Sequence, residues 1–213
     1  MKLKNIRFKG KLLIAAFGLV VAAGAVYAQT TDLSQQIDAG TLETAILDSG
    51  RETVANPGVN FTGVNFDFDC QTTTATLGTD SERIYVTNPS ATTGWTLSVA
   101  ATGASAEWDD GEGNTYAYND PSGAGCDNGQ LSVDPGENNI TYDCETCGLT
   151  GLSEGSASAF DSGTIDNITL MQASGADEVW RGYITDIDLS QEIPGETPAG
   201  EYALDMTLTV TSQ

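Results

Sequence analysis

The sequence predicts an all-β protein that folds as a single antiparallel β-sandwich. Helical periodicity is hard to find after residue 50, short runs of β-branched and aromatic residues recur, and Gly, Asn, Asp, Pro and Ser separate these runs. Spacing of this kind is typical of a sandwich. The predicted strands are Val64–Cys70, Arg83–Asn88, Gly94–Ala100, Asn139–Tyr142, Asn167–Gln172, Val179–Asp186 and Tyr202–Thr211.

Two of these strands alternate clearly enough for their faces to be assigned. In the strand from Gly94 to Ala100, Trp95, Leu97 and Val99 share one face. In the last strand, apolar residues from Tyr202 to Val210 alternate with polar or small ones. One face of each strand is therefore expected to be buried.

The first 28 residues are predicted to be a secretory signal peptide. An uncharged apolar run of 17 residues, Leu12 to Ala28, is shorter than the roughly 20 residues that span a bilayer. The run ends in Val26-Tyr27-Ala28, so we expect cleavage after Ala28 and a secreted or cell-surface protein with no membrane contact after cleavage. The alternative is an uncleaved N-terminal anchor. Five basic residues precede the run, namely Lys2, Lys4, Arg7, Lys9 and Lys11.

Residues 29–213 are strongly acidic. All 30 carboxylate side chains lie there against three arginines, Arg51, Arg83 and Arg181, which gives a net charge of −27. This charge repels nucleic acid and favours cations and basic partners, so nucleic-acid binding is excluded. The alternative is that the acidity only keeps an exported protein soluble.

The composition also argues against an enzyme. The chain has no histidine, and residues 29–213 contain no lysine, whereas acid–base and nucleophilic sites most often use histidine. A hydrolase with paired carboxylates is the remaining enzymatic alternative.

Three regions follow the signal peptide. Residues 29–60 are expected to be an extended segment that joins the sandwich, and residues 61–213 to form the sandwich itself. Within the sandwich, residues 101–163 are rich in Gly, Asp, Asn and Ser, which predicts a loop-rich insertion.

Two short motifs resemble a known family. Gly94-Trp95-Thr96-Leu97 follows the strand Arg83–Asn88, and a turn with Pro198-Ala199-Gly200 precedes Tyr202 in the last strand. With these motifs the chain is similar to the WxL domain family of bacterial surface proteins, from about Leu33 to Thr211. In that family a Trp-x-Leu lies in one strand, and a Tyr-x-x-x-Trp-x-Leu lies near the C-terminus.

The first motif is matched by Trp95 and Leu97. The second is matched by Tyr202 and Leu208, whereas Met206 stands where the family has tryptophan. The resemblance implies an immunoglobulin-like, WxL-like sandwich, non-covalent attachment to cell-wall peptidoglycan, and these four matched residues as candidate ligand contacts. The alternative is that Trp95 and Leu97 build the core.

A second candidate contact is Val179-Trp180-Arg181-Gly182-Tyr183. A spacing of three puts Trp180 and Tyr183 on opposite faces of a regular strand, unless Gly182 marks a bulge. One of the two aromatic side chains is then expected to be exposed beside Arg181, where it would stack on a glycan or contact a partner protein.

An even number of cysteines in an exported chain favours disulfides. Three pairings are open, and the favoured one joins Cys126 to Cys144 and Cys70 to Cys147. Cys144-Glu145-Thr146-Cys147 lacks the βαβ context of a redox site and the histidine of a mixed zinc site.

The segment from Asp109 to Asn114 is the candidate metal site. Asp109, Asp110, Glu112 and Asn114 supply oxygen ligands of the kind that calcium prefers, and two glycines permit a turn. The spacing is not that of an EF-hand, and the alternative is a solvated acidic turn.

The leading hypothesis is a secreted protein that associates non-covalently with cell-wall polysaccharide or with other surface proteins. The rival hypothesis is a structural subunit of a surface filament or layer, a homo-oligomer in which residues 29–57 complete the sheet of a neighbour.

Overall fold

The computed structural model describes residues 35–36, 38, 40–89, 94–103, 105–121, 128–175 and 179–213. These residues contain no helix and form antiparallel sheets, which confirms the predicted all-β sandwich. No helix in this part of the chain is long and apolar enough to cross a membrane. The strands are β1 (Glu43–Leu47), β2 (Gln71–Leu77), β3 (Arg83–Asn88), β4 (Gly94–Ala101), β5 (Trp108–Asp109), β6 (Thr115–Tyr116), β7 (Leu131–Asp134), β8 (Ile140–Tyr142), β9 (Leu152–Glu154), β10 (Ser158–Ala159), β11 (Ile168–Ser174), β12 (Trp180–Ile184), β13 (Ile187–Ile193) and β14 (Met206–Ser212).

The chain divides into residues 1–38 and 39–213, and all strands belong to the second unit. Two four-stranded sheets have the orders β1-β3-β12-β8 and β10-β7-β13-β2. The chain passes between them on three short crossings, from β2 to β3, β7 to β8 and β12 to β13, and on the longer stretch from β1 to β2. They are therefore two halves of one bent sheet. A third sheet, β14-β4-β11-β9, packs against it as the facing sheet, and β5 and β6 form a separate hairpin.

The bend is marked on all three crossings by residues in the left-handed conformation. Gly78, Gly136, Asn138 and Asp186 have φ of 80°, 71°, 64° and 56°. Glycine, asparagine and aspartate tolerate this region best. Hydrogen bonds join the crossings, since Asp186 N donates to Gly78 O at 2.8 Å and Asn139 Nδ2 donates to Asp186 O at 3.0 Å. The bend thus follows from local turn chemistry at three matching positions.

One hydrophobic core lies between the bent sheet and the facing sheet. Its largest members are Trp95 and Trp180, whose ring centroids are 5.6 Å apart. The predicted inward face of β4 is confirmed, because Trp95, Leu97 and Val99 are all buried. In β14 the apolar residues are half-buried and the threonines exposed, as the alternation predicted.

The predicted strand Val64–Cys70 is wrong. These residues form no strand and precede β2, and Val64, Phe66 and Phe68 remain exposed. The actual strand begins at Gln71, where a threonine-rich run pairs with β13 over seven residues. β1 was expected only as part of an extended segment, and β2 and β13 were not predicted. β2 is rich in threonine, and in β13 the buried polar residue Gln191 interrupts the apolar face.

Residues 101–163 are not an insertion into the sandwich. They contain β5 to β10, and β7 lies inside the bent sheet between β10 and β13. These strands have only two to four residues each, too few to show a hydrophobic period.

Upstream, β1 pairs with β3 of its own chain, so residues 43–47 of the segment proposed for strand donation already occupy an intrachain position.

The favoured disulfide pairing is also wrong. Cys144 is bonded to Cys147, with Cα atoms 5.4 Å apart in the turn that follows β8. These two cysteines are three positions apart in the chain, so the bond closes a short local loop. Cys70 also takes part in a disulfide, and Cys126 lies outside the described residues.

Candidate functional site

The candidate site is a groove of about 800 Å³ between residues 59–67 and residues 194–203. We call it the aromatic groove, because it is lined by half-buried rings of Phe61, Trp108, Tyr116 and Tyr202. Its volume lies within the range of roughly 300–1,000 Å³ that small-molecule sites occupy.

The four rings form a connected series. Centroid distances are 5.5 Å for Phe61 to Trp108, 6.0 Å for Trp108 to Tyr116 and 5.1 Å for Tyr116 to Tyr202. Trp108 and Tyr116 are stacked, and the other two pairs meet edge to face. Such contacts hold aromatic side chains in defined orientations, so the lining is largely preformed.

Hydrogen bonds fix the position of the β5–β6 hairpin. Asp109 and Ala203 exchange backbone hydrogen bonds of 3.0 and 2.9 Å, which places Trp108 close to Tyr202. The indole Nε1 of Trp108 donates to Oε1 of buried Gln191 at 2.9 Å. The hairpin is therefore tied to the segment before β14 and to β13.

The two walls of the groove meet at its Pro194 end. Glu196 N donates to Asp67 O at 2.9 Å, and a Cβ on Gly195 would lie 2.3 Å from Phe68 O. Only glycine permits this close approach of the two backbones. The turn at residues 194–200 thus places this wall of the groove directly against residues 67–68.

The groove carries no positive charge among its lining residues. Its charged groups are the carboxylates of Asp67 and Glu201. Burial raises the pKa of the Tyr116 phenol well above its ordinary value, and burial followed by the Asp110 charge raises the pKa of Tyr202. Both phenols therefore stay protonated, and the Tyr202 hydroxyl donates to Pro198 O at 2.9 Å. The lining offers ring faces and hydrogen-bonding groups.

The predicted calcium loop is the turn of the β5–β6 hairpin, and the carboxylates of Asp109 and Asp110 accept hydrogen bonds from within the turn. Asp110 Oδ1 accepts from the backbone N of Glu112 and Asn114, and its Oδ2 accepts from Asn114 Nδ2 at 2.6 Å. The hydrogen bond from Asn114 is the main cause of a lowered pKa at Asp110. The described residues hold no group of three or more His, Cys, Asp or Glu side chains placed for a metal ion. The site proposed at Asp109, Asp110, Glu112 and Asn114 is thus a hydrogen-bonded turn.

The three arginines of residues 29–213 converge on the outer side of the bent sheet. We call this surface the arginine face. Arg51 forms an ion pair with Asp143 through two hydrogen bonds. Arg181 donates to the backbone oxygen of Asp143 at 2.9 and 2.6 Å. The guanidinium of Arg83 lies 4.7 Å from the ring centroid of Tyr183, a cation–π contact. These contacts within the chain engage all three guanidinium groups.

The Asp143 carboxyl ties the arginine face together, since it also accepts from Tyr85 Oη at 3.2 Å. Its hydrogen bonds with Arg51 lower its pKa below the usual 3.8, although burial opposes this shift. A carboxyl with a lowered pKa in the fold contributes stability above its unfolded pKa, and this contribution disappears as the pH falls through its folded pKa.

We therefore expect the Tm difference between the native protein and Asp143→Asn to be constant above about pH 5 and to shrink below about pH 4. Calorimetric melts across this range measure it. The control is Asp188→Asn, an exposed carboxylate on β13 in the other half of the bent sheet. A difference that stayed constant down to pH 2.5 would contradict the role assigned to Asp143.

The candidates from the sequence are scattered in the fold. Trp95, Leu97 and Trp180 are fully buried. The prediction that they contact a ligand is therefore wrong, because their side chains have no exposed surface. The remaining candidates are partly exposed: Arg181 and Tyr183 on the arginine face, Leu208 on β14, and Tyr202 in the aromatic groove.

The expectation for Trp180 and Tyr183 is met in its geometry. β12 pairs with β3 in unbroken register, so Gly182 marks no bulge and the two rings lie on opposite faces. Sequence reasoning missed Phe61, Trp108 and Tyr116. The signal for the last two was the turn Asp110–Asn114 with an aromatic residue on each side, which is typical of a hairpin.

A comparison of the chain with protein-family models, with curated proteins and with solved structures finds no match.

Proposed function

We propose that this chain is an exported, non-catalytic protein of the cell surface that associates with cell-wall polysaccharide through the aromatic groove. The observation that supports the proposal best is the connected series of half-buried rings from Phe61 to Tyr202 along the groove. The signal peptide predicted for residues 1–28 supplies the route to the surface.

The shape and chemistry of the groove suit a sugar chain. Pyranose rings carry apolar faces edged with hydroxyl groups, so they match flat aromatic surfaces surrounded by hydrogen-bonding groups. The exposed parts of Trp108 and Tyr202 would take the apolar faces, and the carboxylates of Asp67 and Glu201 would accept from hydroxyl groups. Because hydrogen bonds already join the two walls, binding would cost little conformational entropy.

Retention of the protein by purified peptidoglycan sacculi tests this proposal. We expect Tyr202→Ala to weaken retention by about tenfold, because it removes one ring face from the groove; tenfold corresponds to about 1.4 kcal/mol. Tyr142→Ala is the matched control, since Tyr142 is 49% exposed and lies on β8 beside the arginine face.

The outcomes separate the competing locations. If the native protein were retained no better than an unrelated protein of equal acidity, wall binding would be excluded. If Tyr142→Ala lost retention and Tyr202→Ala did not, the binding surface would be the arginine face. Circular dichroism of each variant ensures that loss of retention is not loss of fold.

A further inference from the structure

The three four-stranded sheets have six edge strands in the described part of the chain, and they differ in how they are protected. β8, β9 and β10 are only two or three residues long, and β1 has five residues and begins with Glu43. Short or charged edges resist pairing with another chain. The two long edges are β2 and β14, with seven residues each and no charged side chain.

The edge of β2 is covered by its own chain. Thr62 N donates to Thr74 O at 3.0 Å, and Thr73 Oγ1 donates to Thr62 O. The segment around Thr62 therefore occupies the side of β2 that faces away from β13. No such segment pairs with β14 in the described residues; β1 approaches it but pairs only with β3.

The hydrogen-bond pattern shows which backbone groups of β14 point outward. Thr102 N donates to Asp205 O, and Gln213 N donates to Gly94 O. In an antiparallel pair the bonded positions alternate, so residues 205, 207, 209, 211 and 213 point their N–H and C=O groups at β4. The N–H and C=O groups of Met206, Leu208, Val210 and Ser212 point to the free edge.

We propose that β14 is a homodimerisation edge, which pairs antiparallel with β14 of a second copy of this chain. In the register that uses the whole strand, Met206 lies opposite Ser212, and Leu208 lies opposite Val210. Every outward N–H and C=O group of these four residues then has a partner. The two facing sheets become one continuous sheet across a two-fold axis.

Charge restricts the surfaces through which two copies can meet, and β14 is a surface where they can. Each copy carries a net charge of −27 over residues 29–213, so approach through most surfaces is repulsive. β14 is neutral from Met206 to Ser212, and in the antiparallel register Asp205 lies opposite Gln213 of the second copy. Thr209 lies opposite Thr209 of the second copy, a pairing that is favourable on an exposed sheet face.

Site-specific cross-linking tests the location. The Cβ atoms of residues directly opposite each other in an antiparallel pair are about 4.5–5.5 Å apart, close to disulfide range. We expect Thr209→Cys to form a reducible covalent dimer with oxidised glutathione. Thr76→Cys is the matched control, since Thr76 is an exposed threonine on the covered edge strand β2. Equal cross-linking of both variants, or none of Thr209→Cys, would overturn the proposal.

Sedimentation velocity of the exported protein tests the energetics. We expect a dimer that strengthens with ionic strength, because salt screens the repulsion between two acidic copies. Thr209→Lys places like charges opposite each other and is expected to weaken association at least about tenfold, whereas Thr76→Lys leaves it unchanged. A native protein that remained monomeric at high salt, or a dimer unaffected by Thr209→Lys, would contradict the assignment.

Discussion

Replacing Trp95 or Trp180 with alanine is expected to remove about 3–5 kcal/mol from the free energy of unfolding in each case. Both side chains are fully buried, and their rings meet between the facing sheet and the bent sheet. Since a domain has only about 5–15 kcal/mol of net stability, either variant would be partly or fully unfolded. Urea titrations followed by far-ultraviolet circular dichroism measure the loss.

Phenylalanine at the same two positions separates packing from hydrogen bonding. Trp180 Nε1 donates to Gly148 O at 3.0 Å, whereas Trp95 Nε1 is buried with no hydrogen-bond partner among the described residues. Trp180→Phe leaves a carbonyl group unpaired, and Trp95→Phe removes an unpaired N–H group. We expect Trp180→Phe to cost on the order of 1 kcal/mol more than Trp95→Phe.

The reverse order would mean that the indole of Trp95 holds the two sheets together by shape alone. Equal costs would mean that the Gly148 carbonyl finds another donor. Either result would contradict the expected order of the two variants.

Gly182→Ala, at the single glycine of β12, is expected to lower the free energy of unfolding by about 1–3 kcal/mol. A Cβ at this position would lie 2.3 Å from Thr141 O and 2.5 Å from the ring of Trp180. The backbone there is ordinary strand, in regular pairing with both β3 and β8. The requirement for glycine is therefore one of space, and the added methyl group must displace β8 or the indole ring.

Gly103→Ala is the control for this variant, because a Cβ there meets nothing within 4 Å. At an open position the change is expected to be neutral or slightly stabilising, since alanine reduces the freedom of the unfolded chain. Equal denaturation midpoints for Gly182→Ala and the native protein would contradict this expectation, because they would show that β8 can move away from the methyl group with no loss of stability.

The sequence predicted the parts of the fold whose signal is local. β3 has the predicted bounds, β4 differs by one residue, and the buried face of β4 is the predicted one. In these strands, side-chain polarity repeats every second residue, and that repeat is a property of the strand itself. β7 and β10 could not be predicted, because strands of four and two residues are too short to show a period. Their place in the bent sheet is nevertheless as definite as that of β3.

The candidate site could be predicted from the sequence less well than the fold. Of the residues in the aromatic groove, only Tyr202 was singled out, and the two tryptophans that attracted attention as motif residues are buried in the core. A tryptophan in a short motif carries no information on whether its strand faces solvent or another sheet. That depends on which strands pair, and the pairing rests on packing over the whole domain.

The sequence by itself determined the all-β class, the acidity of residues 29–213, the absence of histidine and the buried face of β4. Tertiary structure alone decided that Phe61, Trp108 and Tyr202 line one groove and that the three arginines share one face. These groups are far apart in the chain, so no local pattern relates them. They meet because the chain turns at Gly78, Gly136 and Asp186, between the two halves of the bent sheet, and because backbone hydrogen bonds join the β5–β6 hairpin to Ala203.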